Sequence, residues 1–293
     1  MTNGIDTYTT TSSSGAYSIT VPAGLYNLSA TAAGYQPITI NDITVNANLP
    51  TFVDLLFNLI PPPVLGVVLG QDMSQTGQPS EVVTYTVSIT NTGEVTDTFS
   101  LILAGSTWIT QLPETAITLG AGEMGSFDVT VEVPTDAWAG DWDAVTVTAT
   151  SQTDNAISDS AELTTTAEAV YGFDWSADMT GGEGAAGETV TYTISLTNTG
   201  NTTDTFNIAL AGHSWATTAS DSILMLAPGE SADFPVSVVI AGNAVYPDTD
   251  MVTVTATSEG DNSVTDSVNL TTAVEEPVTP ANPVIYLPMI MRP

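Results

Sequence analysis

Apolar and polar residues alternate with a period of two along most of the chain. Val83, Tyr85, Val87 and Ile89 are interleaved with Thr84, Thr86, Ser88 and Thr90. Phe99, Leu101 and Leu103 follow, then Phe127, Val129, Val131 and Val133, then Val145, Val147 and Ala149. Alternation among β-branched, aromatic and threonine residues marks strands with one face in a core and one in water. About seven such strands in about 100 residues predict an immunoglobulin-like sandwich. No segment carries the spacing of an amphipathic helix, so the predicted fold is all-β.

The pattern is written twice. NTGEVTDTF at residues 91–99 returns as NTGNTTDTF at residues 198–206. A single offset of 107 residues aligns Tyr85 with Tyr192, Asn91 with Asn198, Trp108 with Trp215 and Glu123 with Glu230. The same offset aligns Phe127 with Phe234, Val145 with Val252 and Asp159 with Asp266. A one-residue insertion appears only upstream, where QDMS meets ADMT. This is a tandem domain duplication, with a period far above that of solenoid repeats. The Asn-Thr-Gly of each copy is predicted to be a hairpin corner. Gly93 and Gly200 are expected to supply positive φ, and Asn91 and Asn198 to hydrogen-bond their own turn. Phe99 then re-enters the sheet pointing inward.

The segments YTVSITNTGEVTDTFSL, AGEMGSFDVTVEVP and AVTVTATS resemble bacterial and archaeal Ig-like modules of the CARDB and alpha-galactosidase-associated type. That resemblance covers residues 66–167 and 172–273, and it implies a fold more than a function, since such modules serve mostly as spacers and binding accessories. The N-terminal stretch SSSGAYSITVPAGLYNLSATAAGYQPITINDITV resembles the carboxypeptidase regulatory-like domain, a transthyretin-like β-sandwich. Gly15-Ala16-Tyr17, Pro22-Ala23-Gly24-Leu25-Tyr26 and Gly34-Tyr35 match its corners. The family's domain begins with one or two further strands that have no counterpart here. The expected organisation is therefore three tandem β-sandwiches. An incomplete first module spans 1–60, a Pro-rich linker 61–65, and Ig-like repeats 66–167 and 168–273, before a spacer and apolar tail at 274–293.

The tail ends in VIYLPMIMRP. Ile285, Leu287, Met289 and Met291 share one parity, and Val284, Tyr286 and Ile290 the other. Both faces of this expected strand are apolar, and an exposed strand of that kind invites edge pairing. A first module short of strand and a tail that is a strand without a sheet suggest donor-strand complementation between subunits, which builds a head-to-tail homopolymer. Pro288 stands against this by removing one donor from the strand. The alternatives are a tail folded back on its own third domain, or a sorting or anchoring signal attached to a truncated start.

Composition narrows the chemistry. There are 33 acidic residues, one arginine (Arg292), no lysine and no cysteine, for a formal net charge of −32. Such a chain repels nucleic acid and anionic membranes and attracts cations. Without cysteine there is no disulfide, thiolate site or cysteine nucleophile. No apolar run reaches transmembrane length. The start, MTNGIDTYTTTSSSG, lacks the basic and apolar regions of a secretion signal, so either export uses another route or this is a mature or truncated form.

The catalytic inventory is poor. The only histidine, His213, is replaced by Ser106 in the first repeat, and no P-loop, GxGxxG or HExxH motif occurs. The expectation is a protein that is not an enzyme. Calcium is the candidate cofactor. Asp141 and Asp143 in GDWD match Asp248 and Asp250 in PDTD, with the i, i+2 spacing that lets two carboxylates converge on one cation. Asp154 and Asp261 are further loop acids. The competing reading of all of them is a solvated loop before a strand. Asp159 and Asp266 share the parity of apolar neighbours, so each needs a partner or marks the start of its strand before burial. Trp108 and Trp215 are expected in the core. Trp138 and Trp142 occur only in the first repeat, for sugar stacking or for packing between domains. The functional expectation is an extracellular structural protein, a surface filament or fibre subunit. The alternative is a carbohydrate-binding or adhesin stalk module of a cell-surface protein.

Overall fold

The computed structural model of the chain describes residue 2, residues 8–12 and residues 16–278. All regular structure among them is strand. The first module contributes β1 (Gly24–Ala30) and β2 (Ile38–Val45), paired antiparallel with a bulge between Tyr26 and Leu28. Asn27 sits in that bulge. Its main chain bonds reciprocally to Thr2 at 2.9 Å, and its side chain accepts the Asp42 N–H. Among the described residues of this module, only Tyr26, Leu28 and Ile43 are buried hydrophobics. Among the described residues, the expected sandwich is thus one two-stranded sheet, which is too little for independent stability.

Residues 66–167 form two packed sheets. Their strands are β3 (Val67–Leu69), β4 (Met73–Gly77), β5 (Val82–Asn91), β6 (Asp97–Ala104), β7 (Ile109–Gln111), β8 (Ala116–Leu119), β9 (Met124–Glu132), β10 (Trp142–Ser151) and β11 (Ser158–Ala167). One sheet has the order β3-β5-β9-β7 and the other β4-β11-β10-β6-β8. The second repeat uses β12 (Phe173–Ala177), β13 (Gly181–Gly184), β14 (Thr189–Asn198), β15 (Asp204–Ala211), β16 (Ala216–Ala219), β17 (Ile223–Leu226), β18 (Ser231–Val239), β19 (Thr249–Ser258) and β20 (Thr265–Val274). Its sheets, β12-β14-β18-β16 and β13-β20-β19-β15-β17, repeat the same order. Each repeat has two strands more than periodicity predicts. The first segment changes sheets partway: β3 pairs antiparallel with β5, and β4 then pairs parallel with β11. Asp159 sits at this switch and accepts the Leu69 N–H at 2.8 Å. Asp266 accepts from the Trp175 indole at 3.2 Å. Neither aspartate is buried, and each stands at the solvent end of its strand.

The alternating apolar residues fill the cores. Val83, Tyr85, Val87, Ile89, Phe99, Leu101, Phe127, Val129, Val131 and Val133 are all buried in the first repeat. Tyr85 crosses between the sheets, and its hydroxyl meets the Thr164 carbonyl at 2.7 Å and Thr165 Oγ1 at 2.9 Å. Tyr192 does the same with Thr271 and Thr272. Burial pushes both phenols above their ordinary pKa, so the hydroxyls stay protonated as donors.

At the Asn-Thr-Gly corner the asparagines bond their own turn as expected, but the glycines differ. The corner joins strands of different sheets (β5 to β6, β14 to β15), so it is not a hairpin. Asn91 and Asn198 are fully buried. Asn91 Nδ2 donates to the Val95 and Leu119 carbonyls, both at 2.9 Å, and its Oδ1 accepts the Gly93 N–H. Asn198 makes the matching bonds to Thr202, Leu226 and Gly200. Gly93 and Gly200, however, are absent from the residues of positive φ. Glycine is required there by close approach. A Cβ on Gly93 would lie 2.9 Å from the Val64 carbonyl oxygen, and one on Gly200 only 2.4 Å from that of Val170. The corner is where the incoming linker crosses the sandwich, so backbone meets backbone with no room for a side chain.

Candidate functional site

The paired aspartates do not converge. Asp141 accepts the Trp138 N–H at 2.9 Å and closes the turn before β10. Asp143, one step into β10, is buried and faces the 106–108 loop. It accepts from Ser106 Oγ at 2.7 Å, from the Thr107 amide at 3.0 Å and hydroxyl at 2.7 Å, and from the Trp108 amide at 3.2 Å. In the second repeat Asp248 accepts the Val245 N–H, and Asp250 accepts the Ser214 and Trp215 amides, all at 2.9 Å. Each pair therefore serves two different loops, the first accepting from N–H and O–H donors and the second from amide N–H groups. Among the described residues, no group of three or more His, Asp or Glu side chains is arranged to hold a metal ion. Asp154 and Asp261 accept amide N–H groups two residues on, closing the last hairpin of each repeat.

A second pair of buried carboxylates, Asp97 and Asp204, stands in the repeated motif. Asp97, in the repeated motif, accepts Ser151 Oγ at 2.5 Å, Thr153 Oγ1 at 2.8 Å and the Thr98 amide at 2.8 Å. Asp204 accepts Ser258 Oγ at 2.5 Å, the Thr205 amide at 2.7 Å and the Gly260 amide at 3.1 Å. The signal was its duplication as Asp-Thr-Phe. Asp97 also shares the parity of Phe99 and Leu101, which places this acid on the core side of its strand.

Burial alone pushes the Asp143 and Asp97 carboxyls up. The hydrogen bonds they accept outweigh it, and both sit below the ordinary aspartate value. A carboxylate depressed in the folded state adds stability above its unfolded pKa of about 3.9 and loses it as pH falls through the folded value. Neutralising a chain of charge −32 also relieves self-repulsion, with the opposite sign. The informative quantity is thus a difference. The gap in urea midpoint between the parent and Asp143→Asn is expected to be widest above about pH 5 and to narrow below about pH 4. A gap independent of pH would contradict the depressed carboxyl.

The tryptophans separate as expected in part. Trp108 and Trp215 are half-buried against the two cores. Trp138 and Trp142 are exposed. His213 is half-buried, and its Nδ1 lies 3.0 Å from the Trp215 carbonyl, to which it donates. It therefore completes the same loop that Ser106 completes in the first repeat, and no nucleophile or second base stands near it among its hydrogen-bond partners.

Where the repeats meet, one residue does most of the joining. Asn201 replaces Glu94 of the first copy. Its Nδ2 donates to the Ala137 carbonyl at 3.1 Å and the Glu168 carbonyl at 2.9 Å, and its Oδ1 accepts the Val170 amide at 2.7 Å. Its main-chain carbonyl accepts the Ala139 amide at 3.0 Å. Asn201 thus ties loop 137–139 of the first sandwich, the linker and the second sandwich together. Beside it lies a cleft of about 380 Å³ walled by Gln78, Asp136, Trp138, Thr199 and Pro228. Its open mouth and lack of convergent titratable groups suit junction packing better than catalysis.

The first module presents a different surface. Residues 52–57 belong to no strand, and their burial alternates strictly. Val53, Leu55 and Phe57 are half-buried, while Phe52 (89 % exposed) and Leu56 (86 %) face water. The tail residues Val284, Ile285, Tyr286, Leu287, Met289, Ile290 and Met291 lie outside the described residues.

These two nine-strand sandwiches, with no catalytic constellation among the described residues, define an Ig-like all-β protein. The family comparisons agree. Residues 1–57 match the carboxypeptidase regulatory-like domain, and residues 191–272 match the Ig-like fold at the C-terminus of FixG, a putative oxidoreductase. The chain thus carries a regulatory-like domain at its N-terminus and an Ig-like domain at its C-terminus. No curated protein matches it. Among solved structures, a protein of unknown function from Porphyromonas gingivalis W83 is 13 % identical over 71 % of this chain and 99 % of its own, with a TM-score of 0.31. The YadV chaperone is 12 % identical over 70 % of this chain and 99 % of its own, at 0.29. The ASH/PapD-like domain of human CEP192 is 12 % identical over 41 % and 96 %, at 0.30. Scores of that size carry no functional argument.

Proposed function

We propose that the protein is a non-catalytic, extracellular structural subunit, with Ig-like spacer modules of the CARDB and alpha-galactosidase-associated type. Copies join head to tail when the apolar tail of one inserts into the first module of the next. The observation that carries this reading is the state of that module. Its described residues supply two paired strands and three buried hydrophobic side chains, while large apolar residues beside them stay in water. A module so short of core gains stability from an added strand. The junction at Asn201 fits the same role, because a hydrogen-bonded joint between sandwiches makes a spacer stiff. Calcium, on this reading, acts by screening the charge of −32 and not at one built site.

The test is light scattering after size exclusion at moderate ionic strength. Full-length protein is expected in species of high mass, and the chain lacking residues 282–293 is expected as a monomer. Monomers in both preparations would contradict the reading. They would favour an adhesin stalk or a glycan-binding module, for which exposed Trp138 is the candidate stacking platform.

A further inference from the structure

We propose that residues 52–58 are the acceptor strand of this contact, and that its occupant is the tail, residues 284–291, of a second copy. The inference rests on the assembly reading above and locates its receiving edge.

The segment TFVDLLFN has the burial alternation of a strand but is paired in no sheet. Its side chains alternate between half-buried and exposed from Phe52 to Asn58. It is held at its ends and on one face only. The Asn58 carbonyl accepts the Gln36 amide at 2.9 Å, the Ile60 amide donates to Gly34 at 2.9 Å, and Phe57 packs edge-on against Tyr35 at 5.9 Å. Tyr17 donates to the Val53 carbonyl at 2.8 Å. Apart from that bond, the main-chain N–H and C=O groups of residues 52–57 have no partner among the described residues. A segment whose main chain is largely unpaired among the described residues, carrying two large apolar side chains almost wholly in water, is a template for strand addition.

Three features match the tail to it. The tail is apolar on both faces, so one face covers Phe52 and Leu56 whichever way it lies. Residues 279–293 follow directly on the described chain, and extended they span up to about 50 Å, enough to reach a neighbouring subunit. Arg292 is the only Lys or Arg in the sequence, and it closes the tail, while the acceptor carries exposed Asp54 between Phe52 and Leu56. The pairing also disposes of Pro288. Along a strand, successive backbone groups point to opposite edges. When Ile285, Leu287, Met289 and Met291 bond to the acceptor, Pro288 turns its missing N–H outward, where Pro is tolerated.

A labelled peptide of residues 282–293 is titrated onto the chain lacking those residues, and onto the same chain carrying Phe52→Asp and Leu56→Asp. Both positions are exposed, so the variant is expected to keep its thermal melt and circular dichroism. The expected result is saturable binding to the first protein and affinity lower by at least about tenfold for the variant. Equal binding to both, or none to either, overturns the acceptor assignment. A full-length Phe52→Asp, Leu56→Asp chain, run beside the parent, separates the two ideas. If the parent polymerises and the variant does so equally, the acceptor assignment fails and the assembly reading stands. If the parent stays monomeric while the peptide binds and loses affinity on the variant, the acceptor assignment stands. In that case the tail docks within its own chain and the assembly reading fails.

Discussion

Asp143→Ala is expected to lower the stability of the first repeat by about 3 to 4 kcal/mol, read as a shift in its urea transition by tryptophan fluorescence. The carboxylate is buried and accepts from two amides and two hydroxyls of residues 106–108. Removing it leaves those donors facing a void beside Trp108. Water recovers part of the loss, since Thr107 is exposed. The internal control is Asp250→Ala. Asp250 occupies the equivalent position but accepts only the Ser214 and Trp215 amides, so its loss is expected to cost about 1 to 3 kcal/mol. If the two variants lose the same stability, the hydroxyl bonds of Ser106 and Thr107 contribute nothing measurable.

Asn198→Asp is expected to be as severe, at about 3 to 5 kcal/mol near neutral pH, by the same melt followed in the second repeat. The side chains have the same shape, so packing is unchanged. What changes is the atom facing the Thr202 and Leu226 carbonyls. The amide donates to both at 2.9 Å, whereas an ionised carboxylate would set oxygen against oxygen in a site closed to water. Such a site raises the carboxyl pKa in the folded state and restoring the proton restores one donor, so the defect is expected to ease as pH falls from neutral and to be smallest below about pH 4. A defect no larger than that of a surface substitution would show that the corner tolerates an empty donor position.

The strands were legible because a half-buried sheet writes its burial into every second residue. Tyr85, Val87 and Phe99 are core by that rule alone. The duplication made the reading stronger, since two copies place Asn91 and Asn198 at one corner. What was not legible depends on contacts distant in sequence. Gly93 and Gly200 look like turn glycines, yet they are small because another segment's backbone passes within van der Waals range. Asp97 shares the inward parity of Phe99, but the Ser151 hydroxyl that donates to it lies more than fifty residues away. Asn201 differs from its counterpart Glu94 by one letter in the repeated motif, and nothing local says that this letter joins two sandwiches. The aspartate pairs share a spacing, but the start of β10 sends Asp141 and Asp143 to different loops. The exposed row at Phe52 and Leu56 was hidden for the opposite reason. Apart from Asp54 its residues are apolar on both faces, so no alternation in the sequence marks it, and only the fold reveals which side chains are left in water.

The most direct test of the account is negative-stain electron microscopy of the purified full-length chain at moderate ionic strength, with calcium present to screen its charge. The account predicts fibres with an axial repeat near the length of three modules in series. Dispersed short rods, unchanged at higher protein concentration and higher salt, would contradict it.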